Sequence, residues 1–403
     1  MSTTVDPRFA GLLDAARAVQ PRTVALRRQV HRHPEQGLDL PVTRAAVLEA
    51  LADLPLKITL GERTSAVVAV LEGGKPGPSV LLRGDMDALP LQEDTGLDYA
   101  SEVDGTMHAC GHDTHVAMLA SAARLLCERR AELAGRVVFM FQPGEEGQHG
   151  ARFMLEEGLL DVAGPRVEKA LAVHITSTLR SGVVTCRPGP IMASADTFHV
   201  TVTGRGGHGG MPHDAIDPVP PTAAMVGALQ TMVARRVSVH EPAVVTIAHL
   251  RAGTTTNIIP ETALLEGTVR TLSAATRTLV HQELRQVCEH VAAAHGCTAT
   301  VEVVPGYPVT VNDDVVGPHV LDLAARAIGP AWAEPMLDPL MGAEDFSYVL
   351  ERVPGAMAFL GACPPGVDLA VAEANHSNRV LFDDDAMVHG VVLHTAFALD
   401  ALR

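Results

Sequence analysis

Val80-Leu81-Leu82-Arg83-Gly84-Asp85-Met86-Asp87 runs from aliphatic side chains straight into charged ones. A short apolar run of this kind, bounded by glycine and proline, reads as a buried strand. Its charged residues then sit at the strand's carboxyl end. Outward from it, Val67–Leu71, Val137–Phe141 and Ala170–His174 are further apolar runs of strand length. Between and around them lie helical patterns at 7–33, Thr43–Leu51, His115–Arg129 and Ala151–Glu156, with Pro21 expected to split the first. Strands alternating with helices predict an α/β fold with a doubly wound, mainly parallel sheet. Ligands of such sheets sit beyond the carboxyl ends of the strands. Polar residues collect at the ends of three more strands: Gln142-Pro143-Gly144-Glu145-Glu146-Gly147, His174, and Phe359-Leu360-Gly361 shortly before His376.

From about 191 to 306 the texture changes. An alternating strand at Phe198–Thr203 is followed by a helix at Thr222–Arg235, strands at Val244–Leu250 and Ala263–Arg270, a helix at Ala274–His295 and a strand at Thr298–Val304. This β-α-β-β-α-β order is the ferredoxin-like split motif. We therefore expect a catalytic domain at 1–190 and 307–403 with an inserted α+β domain at 191–306.

The 403 residues suffice for two domains, and 47% hydrophobic residues suffice for a sizeable core. A net charge of −16 and only 3% aromatic residues disfavour a nucleic-acid partner. The six cysteines include no C-x-x-C pair, so a reducing compartment fits better than a disulfide framework. The N-terminus has no apolar signal core, and no run is long enough to span a bilayer. The expectation is a cytoplasmic protein with no membrane partner.

Met107–His115 packs Cys110, Asp113 and the imidazoles of His108, His112 and His115 into one short segment. Residues two apart diverge on a helix, so Cys110 and His112 can aim at one point only from a tight turn, which Gly111 permits. A thiolate with neutral imidazoles is a metal-binding set. Adjacent Glu145 and Glu146 point different ways, so one can ligate while the other holds a proton. His174 or His376 alone would be an ordinary polar cap. Together, Cys110, His112, Glu146, His174 and His376 are five ligands, which suit two divalent ions sharing a bridge better than one tetrahedral ion. Cys110 is the expected bridge.

These segments resemble the M20 family of metallo-amidohydrolases, in its hippurate hydrolase and N-acyl-amino-acid amidohydrolase branch. The resemblance runs from about Arg28 onward. It rests on His31–Glu35 (HRHPE), Arg83–Pro90 (RGDMDALP), Met107–His115 (MHACGHDTH), Gln142–Gly147 (QPGEEG) and Gly206–His213 (GGHGGMPH) with Asp217-Pro218. It rests also on Asn257–Pro260 (NIIP), Gly267–Thr271 (GTVRT) and Gly342–Phe346 (GAEDF), all in order and at matching spacing. It implies two divalent ions per subunit (zinc, manganese, cobalt or nickel) on the same five ligands. It also implies a general base at Glu145 and a supporting acid at Asp87. His208 falls on a lid histidine that reaches a neighbouring subunit's site, and Asn257 and Arg270 fall on substrate-binding residues. The inserted domain would then be a lid and dimerisation domain, and the protein a homodimer. The reaction implied is hydrolysis of a small N-acyl-amino acid to a carboxylic acid and a free amino acid.

Alternatives within the class are a dipeptidase or an N-acetyl-diaminopimelate-type deacetylase. A non-catalytic metal-binding protein of the same fold would lack a ligand or the base, and none is missing. Two departures from the family pattern bear on specificity. Ile175-Thr176-Ser177-Thr178 follows His174 in place of an aromatic residue and a proline, and Pro220 and Pro221 enter the lid helix.

Overall fold

The computed structural model describes residues 6–403 and divides into two compact units. The first runs to Ile191 and includes Val311–Asp338 and Asp345–Arg403; the second comprises Met192–Thr310 and Pro339–Glu344. The short return of 339–344 to the second unit has no counterpart in the sequence reading.

The first unit is built on an eight-stranded sheet. In chain order its strands are β1 (Lys57–Leu60), β2 (Val67–Glu72), β3 (Lys75–Asp85), β4 (Ala134–Gln142), β5 (Val167–Arg180), β6 (Val184–Cys186), β7 (Ala333–Pro335) and β8 (Gly355–Cys363). Their spatial order is β1-β2-β4-β3-β5-β8-β6-β7. The centre, β4-β3-β5-β8, is parallel, while β1-β2, β2-β4 and β8-β6 are antiparallel. Burial on both faces explains why these central strands read as continuous apolar runs rather than alternating ones.

Helices Leu12–Arg32, His112–Glu128 and Met387–Ala401 pack on one another, and the latter two also pack on the sheet. The His112–Glu128 helix is buried on nearly every side from His112 to Leu126: beyond its polar first turn, small and aliphatic residues dominate. Gly84 lets it approach β3: a Cβ there would lie 2.8 Å from the His115 carbonyl oxygen. Contrary to expectation, Pro21 does not split the first helix. It lies inside Leu12–Arg32 at an exposed position, where the turn can absorb the missing donor.

In the second unit, Asp196–Thr203, Ala243–Ala252, Thr262–Thr271 and Thr298–Pro305 form a four-stranded antiparallel sheet. Numbered by sequence its order is second, third, first, fourth, the ferredoxin-like arrangement. Helices Val219–Arg236 and Ala274–Ala294 share its core around Phe198, Leu229, Leu265 and Leu284. Pro220 and Pro221 fall in the first turn of the Val219–Arg236 helix, where backbone N–H groups lack intrahelical partners anyway, so they do not break it.

Asp196 ties this unit together, accepting from Arg277, from His281 Nε2 at 2.7 Å and from the Gly306 N–H at 3.0 Å. Burial would raise its pKa, but His281 and Arg277 outweigh burial and hold it at about 2. A depressed carboxyl stabilises the fold above its unfolded value and loses that contribution as pH falls through the folded one. Asp196→Asn is therefore expected to lose about 2 kcal/mol at neutral pH. The gap from the parent should close between about pH 4 and 2, as followed by denaturant unfolding. A pH-independent gap would contradict this. Among the described residues no helix is long and apolar enough to cross a membrane.

Candidate metal centre

The parallel register places the polar strand ends side by side. Asp85 of β3 pairs with Gln142 of β4, and His174 of β5 pairs with Phe359 of β8. His174 is not terminal as the sequence suggested, since β5 continues to Arg180. Gly111 has φ +86° and precedes the His112–Glu128 helix. A Cβ on it would lie 2.4 Å from Ile175 Cγ2. This left-handed residue turns Cys110, in the preceding turn, and His112, the first helical residue, toward the same place. The turn after β4 delivers Glu145 and Glu146, and Asp87 fixes it: its two carboxylate oxygens accept the Glu145 and Glu146 N–H groups, each at 2.9 Å. His376 also has a left-handed backbone, φ +70°, a conformation costing a non-glycine residue about 1–3 kcal/mol. Its N–H donates to the Ala109 carbonyl at 2.8 Å.

All five sequence-predicted ligands come together in two groups that share one member. Cys110, His112 and His174 form one, and Cys110, Glu146 and His376 the other, with donor atoms within 4.8 Å of one another. Cys110 Sγ lies 3.5 Å from His174 Nε2 and 3.3 Å from His376 Nε2, which is 3.3 Å from Glu146 Oε1. Two donors on one tetrahedral ion at about 2.0–2.3 Å would stand roughly 3.3–3.8 Å apart, so the spacing suits metal ligation. Both ring nitrogens of His112 and Glu146 Oε1 are buried without a hydrogen bond. Thiolate, imidazole and carboxylate together match zinc and its neighbours.

The proton positions agree. His174 Nδ1–H donates to the Ile175 carbonyl at 2.7 Å, leaving the Nε2 lone pair facing Cys110. His115 Nε2 accepts the Ile175 N–H at 2.8 Å, so its proton sits on Nδ1, facing Asp85 Oδ1 at 2.5 Å. His115 therefore supports the centre from behind. The hydrogen bond to Cys110 and the neighbouring Glu146 carboxylate raise His376 to about 10. Burial opposes charge on His112, yet Asp85 and Cys110 raise it well above the usual histidine value. Burial would raise Glu146, but His376 and His112 lower it. Burial holds His174 well below the usual value. His112 is thus drawn toward its charged form in a buried place, which a cation would satisfy.

Of the remaining residues in the Cys/His segment, Asp113 accepts from Arg27 Nε at 2.7 Å and faces His31 Nδ1 at 2.8 Å. His108 is enclosed, and burial pushes its pKa to about 3, so it packs as a neutral ring. Two contributors escaped residue-level assignment. Asp85, at the carboxyl end of β3, binds Arg83 at 2.7 Å and faces His112 Nε2 at 3.3 Å. Asp345, inside the GAEDF motif, accepts from Gln142 Nε2 at 2.6 Å and from the Ala151 N–H at 2.9 Å, while its own N–H donates to Glu145 Oε1 at 3.3 Å. The motif flagged the second; only a structure assigns the partners.

The other predicted residues belong to the second unit. His208 is exposed on a two-residue strand paired with Ile258–Ile259, and its Nδ1 accepts the Gly210 N–H at 3.0 Å. Asn257 is exposed, and its carbonyl accepts the Gly209 N–H at 2.8 Å. Arg270 is half-buried in Thr262–Thr271 opposite Val244, and burial lowers its pKa.

Residues 81–400 match the model of Peptidase family M20/M25/M40. The chain is 36% identical to thermostable carboxypeptidase 1 of Saccharolobus solfataricus over 96% of its own length and 97% of the relative's. It is 38% identical to N-acetylcysteine deacetylase of Bacillus subtilis, covering 86% and 90%. Among solved structures, the YXEP protein of Bacillus subtilis, described as a dinuclear metal-binding peptidase of the M20 family, superposes with a TM-score of 0.84. The two share 33% identity over 96% of this chain and 99% of that one.

Proposed function

The chain belongs to peptidase family M20/M25/M40, and from that premise we propose that it hydrolyses the amide bond of small N-acyl-amino acids, releasing a carboxylic acid and a free amino acid. The observation carrying this reading is the pair of ligand groups joined at Cys110, with Glu145 beside them. Two divalent ions (zinc, manganese, cobalt or nickel) held by Cys110, His112, Glu146, His174 and His376 would supply Lewis-acid polarisation and a lowered water pKa. Glu145, which groups with His112 and Glu146 and is itself buried, is the proton carrier. Its carboxylate takes a proton from the attacking water as oxygen bonds to the amide carbon. It returns that proton to nitrogen as the C–N bond breaks. Asp87 holds the backbone of both glutamates and so sets where Glu145 points.

The remaining roles complete the proposal. His208 stabilises the oxyanion in a neighbouring subunit's site, the second unit acts as lid and dimerisation domain of a homodimer, and Asn257 and Arg270 bind the substrate. Arg270 suits a carboxylate, being a half-buried guanidinium. The six unpaired cysteines fit a reducing, cytoplasmic setting. The similarity to a carboxypeptidase supports a second reading, a peptidase acting on dipeptides.

The test is a hydrolysis screen of N-acetyl, N-benzoyl and longer N-acyl amino acids beside dipeptides, before and after chelation. Activity should vanish with chelator and return with manganese, cobalt or zinc. Chelator-resistant turnover would overturn the metal-dependent reading, and a preference for dipeptides would overturn the acyl-amino-acid one.

A further inference from the structure

Asn375 is absent from every motif discussed above, yet its side chain joins the segments that carry three of the five ligands. Its Nδ2 donates to the Cys110 carbonyl at 3.1 Å and to the Ile175 carbonyl at 3.0 Å. Its Oδ1 accepts the Ser177 N–H at 3.2 Å and lies 3.4 Å from Ser177 Oγ. Both amide protons and the oxygen are thus used on partners at least 198 residues away in sequence. Ser177 Oγ also donates to the Glu373 carbonyl at 2.6 Å, closing the bracket on the near side of Asn375.

Each contact abuts a ligand. Cys110 contributes its own carbonyl. Ile175 follows His174, and the Ile175 carbonyl that Asn375 grips is the one that accepts His174 Nδ1–H and so aims Nε2 at Cys110. His376 follows Asn375 directly and holds the left-handed backbone already described. A non-glycine residue keeps such a conformation only where its surroundings fix it. Here the Asn375 amide fixes one side and the His376 N–H bond to Ala109 fixes the other. Ser177, the second half of the bracket, lies in the run where this chain departs from the family pattern after His174.

We propose that Asn375 is a positioning residue for the metal centre: it registers the Cys110, His174 and His376 segments against one another, with Ser177 as its counterpart. This rests on the metal-site reading of the preceding subsection. Metal ligands depend on the groups that orient them, and losing such a group lowers metal affinity roughly 10- to 100-fold.

The experiment is metal titration of the full chain, stripped by chelator, against a chromophoric competitor for zinc and manganese. Melting of the metal-free proteins is recorded alongside. Asn375→Ala should weaken binding roughly 10- to 100-fold with the metal-free melting temperature little changed. Asn375→Asp keeps the acceptor for Ser177 but loses both donors, and it should weaken binding as the alanine variant does. Ser177→Ala, which keeps the backbone N–H bond to Asn375 and loses the hydroxyl that bonds to the Glu373 carbonyl, should weaken it less than either. If Asn375→Ala does not fold, the aspartate variant carries the comparison. Parental affinity in the variant that folds, or loss of affinity only in step with loss of metal-free stability, would overturn the inference. A parent that binds no metal would instead overturn the metal-site reading itself.

Discussion

Glu145→Gln is expected to bind metal as the parent does and to lose about 10³-fold in kcat. The amide keeps the size and the Oε1 acceptor that meets the Asp345 N–H, so the local fold should survive. It cannot take a proton from water. The ligand groups sharing Cys110 do not include Glu145, which is why metal content and turnover should separate. Metal analysis beside steady-state kinetics checks this; a variant that keeps its turnover would refute the assignment of the base. The same variant probes the lid. If His208 serves the partner subunit, mixing Glu145→Gln with His208→Ala should restore part of the activity that each lacks alone. No recovery in demonstrated mixed dimers would count against action in trans.

Cys110→Ala should be the more damaging change to metal content. Cys110 is the one residue common to both ligand groups, whereas His174 and His376 each belong to one. Removing the thiol should reduce the binding of both proposed ions and lower turnover about 10³-fold or more, since the polarisation lost is worth several kcal/mol. His174→Ala should weaken one ion more than the other. Stoichiometry measured on dialysed protein decides: equal metal loss in the two variants would argue against a shared thiolate.

The convergence of the five proposed ligands was legible in the sequence for a physical reason. Buried strands are written as continuous apolar runs, so the polar residues that interrupt them, at Asp85, Gln142 and His174, mark where a ligand of such a sheet would sit. Cys110-Gly111-His112 was legible because only a turn lets residues two apart converge. What stayed hidden depends on tertiary register. Nothing local shows that Asn375 bonds to Cys110 and Ile175, or that the Ile175 N–H decides which nitrogen of His115 is protonated. The continuity of the first helix through Pro21 was hidden likewise, because exposure of one turn is a property of packing. For His208, Asn257 and Arg270, the motif carries the assignment and their own unit supplies only the local setting.

The His112–Glu128 helix begins on a proposed ligand and is enclosed along nearly its whole length. Binding loops are usually drawn from the parts of a protein that open most easily. Here His112 is mounted on an element that can loosen only when the core around it does. Backbone amides a turn or two beyond His112 should therefore rank among the slowest to exchange with solvent. Release of an ion from His112 would then proceed by side-chain rearrangement within a closed frame, not by fraying of its support.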